Sequence, residues 1–450
     1  MILKTEGTGK FTIIAFFMGL MSSLYVPTPV GFVAMLDGLA FAFAIPLFLM
    51  EYHTYPKYVK RLLLLAFLWM INGMISDWYR EVPFKDAFKA SAIVFNSWCL
   101  IVLAAWIYKK SPHSFIWFGI GGAISAVISL YKFQNGALLA TAMMNGLTKM
   151  GDISDFLAEK QVVPLWTGMI LAVVIMPLRL KFRVPWFFCV AAYAFAAFYM
   201  MVHGGSKSGF LISISGAIMI FLYAYMPQIY NSLWRNKFRT VILAVLAAFA
   251  FNFVYLEAAK AGLLGEEGYK KIERTKYKEG SMLDSRSDIL VNWPFLWRSP
   301  IIGAGSQFYD RWGYVDKSPY INHYDMTGKF IPRERFPGHS CVVGAWTSAG
   351  IFGLLFWICV IGLKINLLGK RSYAFGDYGA FVAAGILGSS WHILFSPYGC
   401  RGGLLFGAVF AALAMEPEYL QWLKRGWSKK EFEDYSDPDK SVDELIYNVK

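Results

Sequence analysis

The chain has 450 residues, of which 57% are hydrophobic, 18% aromatic and only 16% charged, with a mean hydropathy of +0.45. A soluble domain carries roughly 25% charged residues, so this balance excludes an ordinary soluble enzyme. The net charge of +13 is spread between apolar runs and not gathered on a polar domain, which excludes nucleic acid as the partner.

The apolar residues come in blocks of roughly 20, the length that crosses a bilayer as a helix, and a helix pairs its own backbone groups as lipid demands. In chain order, MILKTEGTGK followed by FTIIAFFMGLMSSLY resembles a signal peptide. It lacks a small-x-small cleavage site and more apolar runs follow, so it reads as an uncleaved first helix. The composition predicts about twelve spans, near 11–27, 31–50, 61–76, 87–107, 114–131, 163–180, 185–202, 209–226, 238–256, 338–363, 377–396 and 402–416. The third is short and close behind the second. No internal repeat or low-complexity tract interrupts the series.

Basic residues orient the series. With the N-terminus inside, every inside segment is basic: Lys4 and Lys10; Lys57, Lys60 and Arg61; Lys109 and Lys110; Arg179, Lys181 and Arg183; Arg235, Lys237 and Arg239; Lys364, Lys370 and Arg371. The outside loops carry fewer, as the positive-inside rule requires, so both termini are expected in the cytoplasm. The chain thus divides into helices one to nine (1–256), a long outside loop (257–337), helices ten to twelve (338–416) and a cytoplasmic tail (417–450). The tail opens on an amphipathic piece, EYLQWLKRGW. The long loop is rich in Trp, Tyr, Phe and Gly. Within it SRSDILVNWPFLWRSP reads as a short amphipathic helix broken around Pro294, and IIGAGSQFYDRWGY as a turn that glycine permits. The aromatics suit a sugar or a lipid headgroup; a loop packing on itself accounts for them equally.

Cys99, Cys189, Cys341, Cys359 and Cys400 are scattered, without a CxxC or Cys/His cluster. They read as small buried hydrophobes, and no metal site is expected. Chemistry concentrates elsewhere. In FPGHSCVVGAWTSAGIFG, His339 and Ser340 precede nine residues, then Gly350 and Gly353. His339 falls at the outer mouth of a helix, where an imidazole either acts as a base or anchors the helix end. Gly350 and Gly353, one turn apart, predict the close approach of a neighbouring helix. In LDSRSDIL, Arg286 either grips a phosphate or pairs with Asp288. In HGGSKSG, Lys207 among glycines makes an anion-binding turn or a plain polar one. Arg401 in SPYGCRGG faces the same side. In DWYREVPFKD, the carboxylates Asp77, Glu81 and Asp86 read as a solvated loop.

His339-Ser340, nine residues, then Gly350-Ile351-Phe352-Gly353 resembles the signature of the O-antigen ligase and O-antigen polymerase superfamily. SRSDIL, PIIGAG and the long outer loop before the His span resemble family segments too, and the likeness in layout covers roughly 11–416. The resemblance implies an all-α, GT-C-like glycosyltransferase that needs no cofactor or metal. Such an enzyme takes a glycan from undecaprenyl diphosphate and passes it, in the periplasm, to an acceptor glycan or lipid A core. It implies Arg286 and His339 as catalytic residues; Lys207 and Arg401, which the charge rule puts on the same face, are expected with Arg286 on the diphosphate, and the family often has arginine where this chain has Lys207. Polymerase and ligase remain open, as does a chain-length regulator as partner. A transporter or flippase of lipid-linked sugars is the alternative from another class.

Overall fold

The computed structural model describes residues 9–22, 24–28, 31–111, 114–131, 175–176, 178–179, 182–202, 207–235, 253, 257, 261–262, 288–306, 310–311, 313–315, 317–318, 336, 340–368, 377–395 and 401–416. The expected sixth and ninth spans, the loop 132–162, the tail and Cys400 lie wholly or largely outside them. The described chain is helical but for one small hairpin. Its helices are α1 (Gly9–Met21), α2 (Met35–Glu51), α3 (Lys57–Tyr79), α4 (Phe84–Lys110), α5 (Ser114–Tyr131), α6 (Trp186–Val202) and α7 (Lys207–Tyr225). They continue with α8 (Pro227–Arg235), α9 (Asp288–Arg298), α10 (Cys341–Asn366), α11 (Asp377–Phe395) and α12 (Arg401–Leu413).

Among the described residues, four stretches are long and apolar enough to cross a membrane: α2 with its short 3-10 extension, α3, α4 and α10. Large side chains point outward along them, Leu49 at 73% exposure among them. A soluble bundle would hide such residues, whereas lipid accepts them. The described chain is therefore that of a membrane-embedded, predominantly helical protein.

The second and third spans differ from the sequence reading in ways that bear on the fold. The second span does not start at residue 31: β1 (Tyr25–Thr28) pairs antiparallel with β2 (Gly31–Ala34), Val26 opposite Val33, and the helix begins at Met35. An apolar run hides such a strand because strand and helix share hydrophobicity. The third span is not short. α3 has 23 residues, because its polar ends, KYVKR and SDWY, stay helical.

α3 and α10 form the centre and run antiparallel. Ser76 Oγ donates to the Ser348 carbonyl at 3.0 Å near one end, and the Trp69 and Phe356 rings lie 5.2 Å apart further along. α4 packs against α2, α3 and α12, while α7 packs against α6 and α11. At the far end from Ser76, Glu51 at the close of α2 pairs with Lys109 and Lys110 at the close of α4, at 3.4 and 3.0 Å. Lys60 Nζ donates to the His53 carbonyl there at 3.2 Å. Thus the basic clusters 57–61 and 109–110 share one end of the bundle, and Arg80 lies at the other.

Lys364, taken from the sequence as part of an inside basic loop, is instead 0% exposed within α10 and donates to Ser389 Oγ of α11 at 2.7 Å. Of the cysteines, Cys99, Cys189 and Cys341 are buried and Cys359 is partly so.

Candidate functional site

α10 is the element that follows the His339 motif, and it is not one helix. Ala349 (φ −127°, ψ 16°) and Gly350 (φ 66°, ψ −153°) leave helical geometry and break it in two. The chain folds sharply at this point. Ala345 and Gly353 would stand about 12 Å apart along a straight helix, yet a Cβ placed on Gly353 would strike the Ala345 backbone. The first half ends at the break, and residues 351–366 form the second half, about 24 Å of helix.

The expected close approach to Gly350 is real, but the neighbour is not a helix. A Cβ on Gly350 would collide with the Ile301 carbonyl, part of the turn that follows α9. Gly350 also occupies a region of backbone space that is essentially glycine's alone. The space beside Gly353 is filled by the other half of its own helix.

Breaking a helix strands carbonyls, and burial makes each stranded one costly. Here two segments cap them. From the loop, the Ala304 amide donates to the Thr347 carbonyl at 2.6 Å and the Gly305 amide to the Ser348 carbonyl at 3.1 Å. The Ile351 amide donates back to the Ile301 carbonyl at 3.3 Å. From α3, Asn72 Nδ2 donates to the Ile301 carbonyl at 2.8 Å and also to the Ala349 carbonyl, and Ser76 donates to Ser348. Gly303, at φ +88°, makes the tight turn possible; a Cβ there would stand 2.7 Å from the Ser348 carbonyl oxygen.

The C-terminal end of α3 continues this polar junction. Asp77, expected in a solvated loop, is 2% exposed and accepts from the Ser306 amide at 2.6 Å. Arg80 Nε donates to the Gly303 carbonyl at 3.0 Å and its terminal nitrogen to Ser299 Oγ at 2.8 Å. Its guanidinium lies 5.0 Å from the centre of the Tyr79 ring. Arg311 donates to the Arg80 carbonyl. Burial pushes the Arg80 pKa down; Tyr79 opposes that, while the charges of Arg311 and Arg298 add to it. It stays ionised all the same, as arginine does. Beside it an open cleft of about 380 Å³ is lined by Tyr79, Arg80, Arg298, Ser299 and Ile302.

α9 is amphipathic as expected but runs unbroken through Pro294, which sits on its exposed face. Its other face packs Val291, Phe295 and Leu296 with Val343, at the start of α10, and with Ala304, Val315 and Phe336. Asn292 Nδ2 donates to Thr347 Oγ1 at 3.1 Å. Ser340 caps α10, its hydroxyl accepting from the Val343 amide at 3.3 Å, a role serine fills well.

Arg286 and His339 lie outside the described residues. Arg286 precedes α9 by two positions and His339 immediately precedes the cap Ser340, so each adjoins one of two elements that pack together. Lys207 and Arg401 are the first residues of α7 and α12; α7 meets α11, and α12 meets α4 and α10. Arg80 and Arg298 were not singled out in the sequence as site residues, and Asp77 was named there only as part of a solvated loop. The signal for Arg80 and Asp77 was a charged DWYR at the close of an apolar run, and for Arg298 a basic residue at the end of the amphipathic piece 288–298. Among the described residues, no group of three His, Cys, Asp or Glu side chains gathers as a metal site would require.

No protein-family model matches the chain, and a search of curated proteins finds no match. The class defined by fold and site is a membrane-embedded helical protein whose central helix is broken and capped by a polar junction at one end of the bundle.

Proposed function

We propose that this chain is an inverting, metal-independent glycosyltransferase of the O-antigen ligase and polymerase type. It crosses a bacterial inner membrane about twelve times, in a GT-C-like arrangement with both termini cytoplasmic. The polar junction then faces the periplasm. The observation that carries the reading is the packing of α9 on the first half of α10, beside the break at Gly350. These are the elements that follow Arg286 and His339, and the break falls at the first glycine of the motif.

In this mechanism, Arg286, Lys207 and Arg401 neutralise the diphosphate of an undecaprenyl-linked glycan at the membrane surface. His339 takes the proton of an acceptor hydroxyl. The hydroxyl oxygen bonds to the anomeric carbon from the face opposite the diphosphate, and the anomeric C–O bond breaks. The electron pair leaves with undecaprenyl diphosphate, whose stored energy drives the transfer. The acceptor is a second lipid-linked glycan for a polymerase or a lipid A core for a ligase.

Purified protein, lipid-linked donor and EDTA test the reading. We expect a ladder on donor alone from a polymerase, or product only with lipid A core from a ligase. Either activity should vanish in Arg286→Ala and His339→Ala variants that still fold. No product in any arm from well-folded wild type, or full activity in both variants, would overturn it. A carrier of lipid-linked sugars is the second reading, favoured by the buried Lys364, since ionisable residues inside membrane bundles commonly line transport paths. Sugar-lipid translocation without transfer, lost in Lys364→Met, would select it.

A further inference from the structure

The cleft between the outer ends of α3 and α9 differs from the residues of the His339 motif in both chain position and make-up. Two guanidiniums line it, and the charge of a third, Arg311, reaches Arg80. Arg80 is anchored by the Gly303 carbonyl and Ser299, while Arg298, at the end of α9, donates to the Tyr314 hydroxyl at 3.3 Å. Arg311 is tied to the Arg80 carbonyl. Arg80 and Arg298 share one cleft with Tyr79 and Ser299. Like charges held this close raise each other's energy, and an anion between them offsets it. Arginine's planar fork suits the oxygens of a phosphate in particular.

The surroundings specify where that phosphate comes from. Trp78 is 81% exposed and Phe84 83% exposed at the turn between α3 and α4, and Trp297 is 66% exposed one residue from Arg298. Trp293 is exposed one helical turn earlier, on the same face, with its ring centre 5.4 Å from that of Trp297. Ile301, beside the cleft, is exposed as well. Tryptophan concentrates where hydrocarbon gives way to headgroups. An apolar aromatic rim around a cationic cleft therefore holds that cleft at the depth of lipid phosphates.

We infer that the Arg80–Arg298 cleft is a binding site for the phosphate of a membrane-resident lipid, with the exposed tryptophans and Ile301 against its hydrocarbon chain. The inference is independent of the transferase reading, because phosphate recognition here requires no reaction. Arg80 supplies the fixed charge, since its hydrogen bonds hold it in the junction. Arg298 supplies the adjustable one, being exposed.

The test uses full-length protein in neutral detergent, titrated with phosphatidate in one arm and inorganic pyrophosphate in another, and followed by thermal unfolding. Phosphatidate should raise the midpoint in a saturable way, and pyrophosphate should need far higher concentration. Arg298→Gln should weaken phosphatidate binding about tenfold, the loss of one charge-assisted contact worth ~1.4 kcal/mol, with the lipid-free midpoint unchanged. Arg80→Lys keeps the charge and should weaken binding less than Arg80→Gln. Equal binding by wild type, Arg298→Gln and Arg80→Gln would remove the site. Equal affinity for phosphatidate and pyrophosphate would remove the lipid.

Discussion

Gly350 carries more of the architecture than its size suggests. Its backbone angles belong to glycine, and any side chain there meets the Ile301 carbonyl. Gly350→Ala should therefore destabilise the protein by about 3 kcal/mol or more, since strain and a backbone clash add. The expected reading is a lower thermal midpoint in detergent; an unchanged midpoint would mean that Ile301 can retreat. The sequence pointed to this glycine but not to what lies against it. Spacing places two residues on one helix face only while the helix lasts, and the break at Ala349 ends that geometry. Asp77 was misread for a related reason. A carboxylate near the end of an apolar run looks solvated until the amide that pairs with it, Ser306, is brought from 229 positions away.

At the scale of elements, helix positions were legible and helix ends were not. α4 extends three residues beyond its expected run at each end, and α3 extends further, because hydropathy falls at polar termini although the helix continues. The hairpin before α2 was invisible within a continuous apolar stretch. Pro294 suggested a break, yet proline removes one backbone donor, and the burial of Val291, Phe295 and Leu296 keeps α9 continuous. The join between α10 and α11 makes a quantitative prediction. Lys364 and Ser389 form a buried hydrogen bond, so Ser389→Ala leaves the lysine nitrogen without that partner and should lower stability by about 1–3 kcal/mol. Lys364→Met removes the charge itself and should leave stability level or higher. A large loss in Lys364→Met, with none in Ser389→Ala, would show that the lysine is fastened by something other than Ser389.

Over the whole molecule, the separation of basic residues was the most readable property. The clusters 57–61 and 109–110 meet around Glu51 at one end, and the arginines of the junction lie at the other. In a chain freed of its five cysteines, we expect a cysteine at Lys85 to react with an impermeant thiol reagent on intact cells. One at Lys57 should react only after permeabilisation. The reverse pattern would turn the junction toward the cytoplasm and overturn the periplasmic reaction. The junction itself could not be read in advance, because its parts are ordinary when apart. A serine, an asparagine and two glycines acquire their roles only when the loop after α9 reaches the end of α3.

The distance along the chain between those partners also bears on how the protein is made. Asn72 and Ser76 must wait for carbonyls 277 and 272 residues further on. While a ribosome extends the chain, α3 enters the bilayer with polar groups that nothing yet satisfies, and they stay so until the break in α10 emerges. A nascent chain halted before that point presents these groups to lipid or to whatever insertion machinery shelters them. Completion of the junction is the step at which these buried groups first meet their native partners.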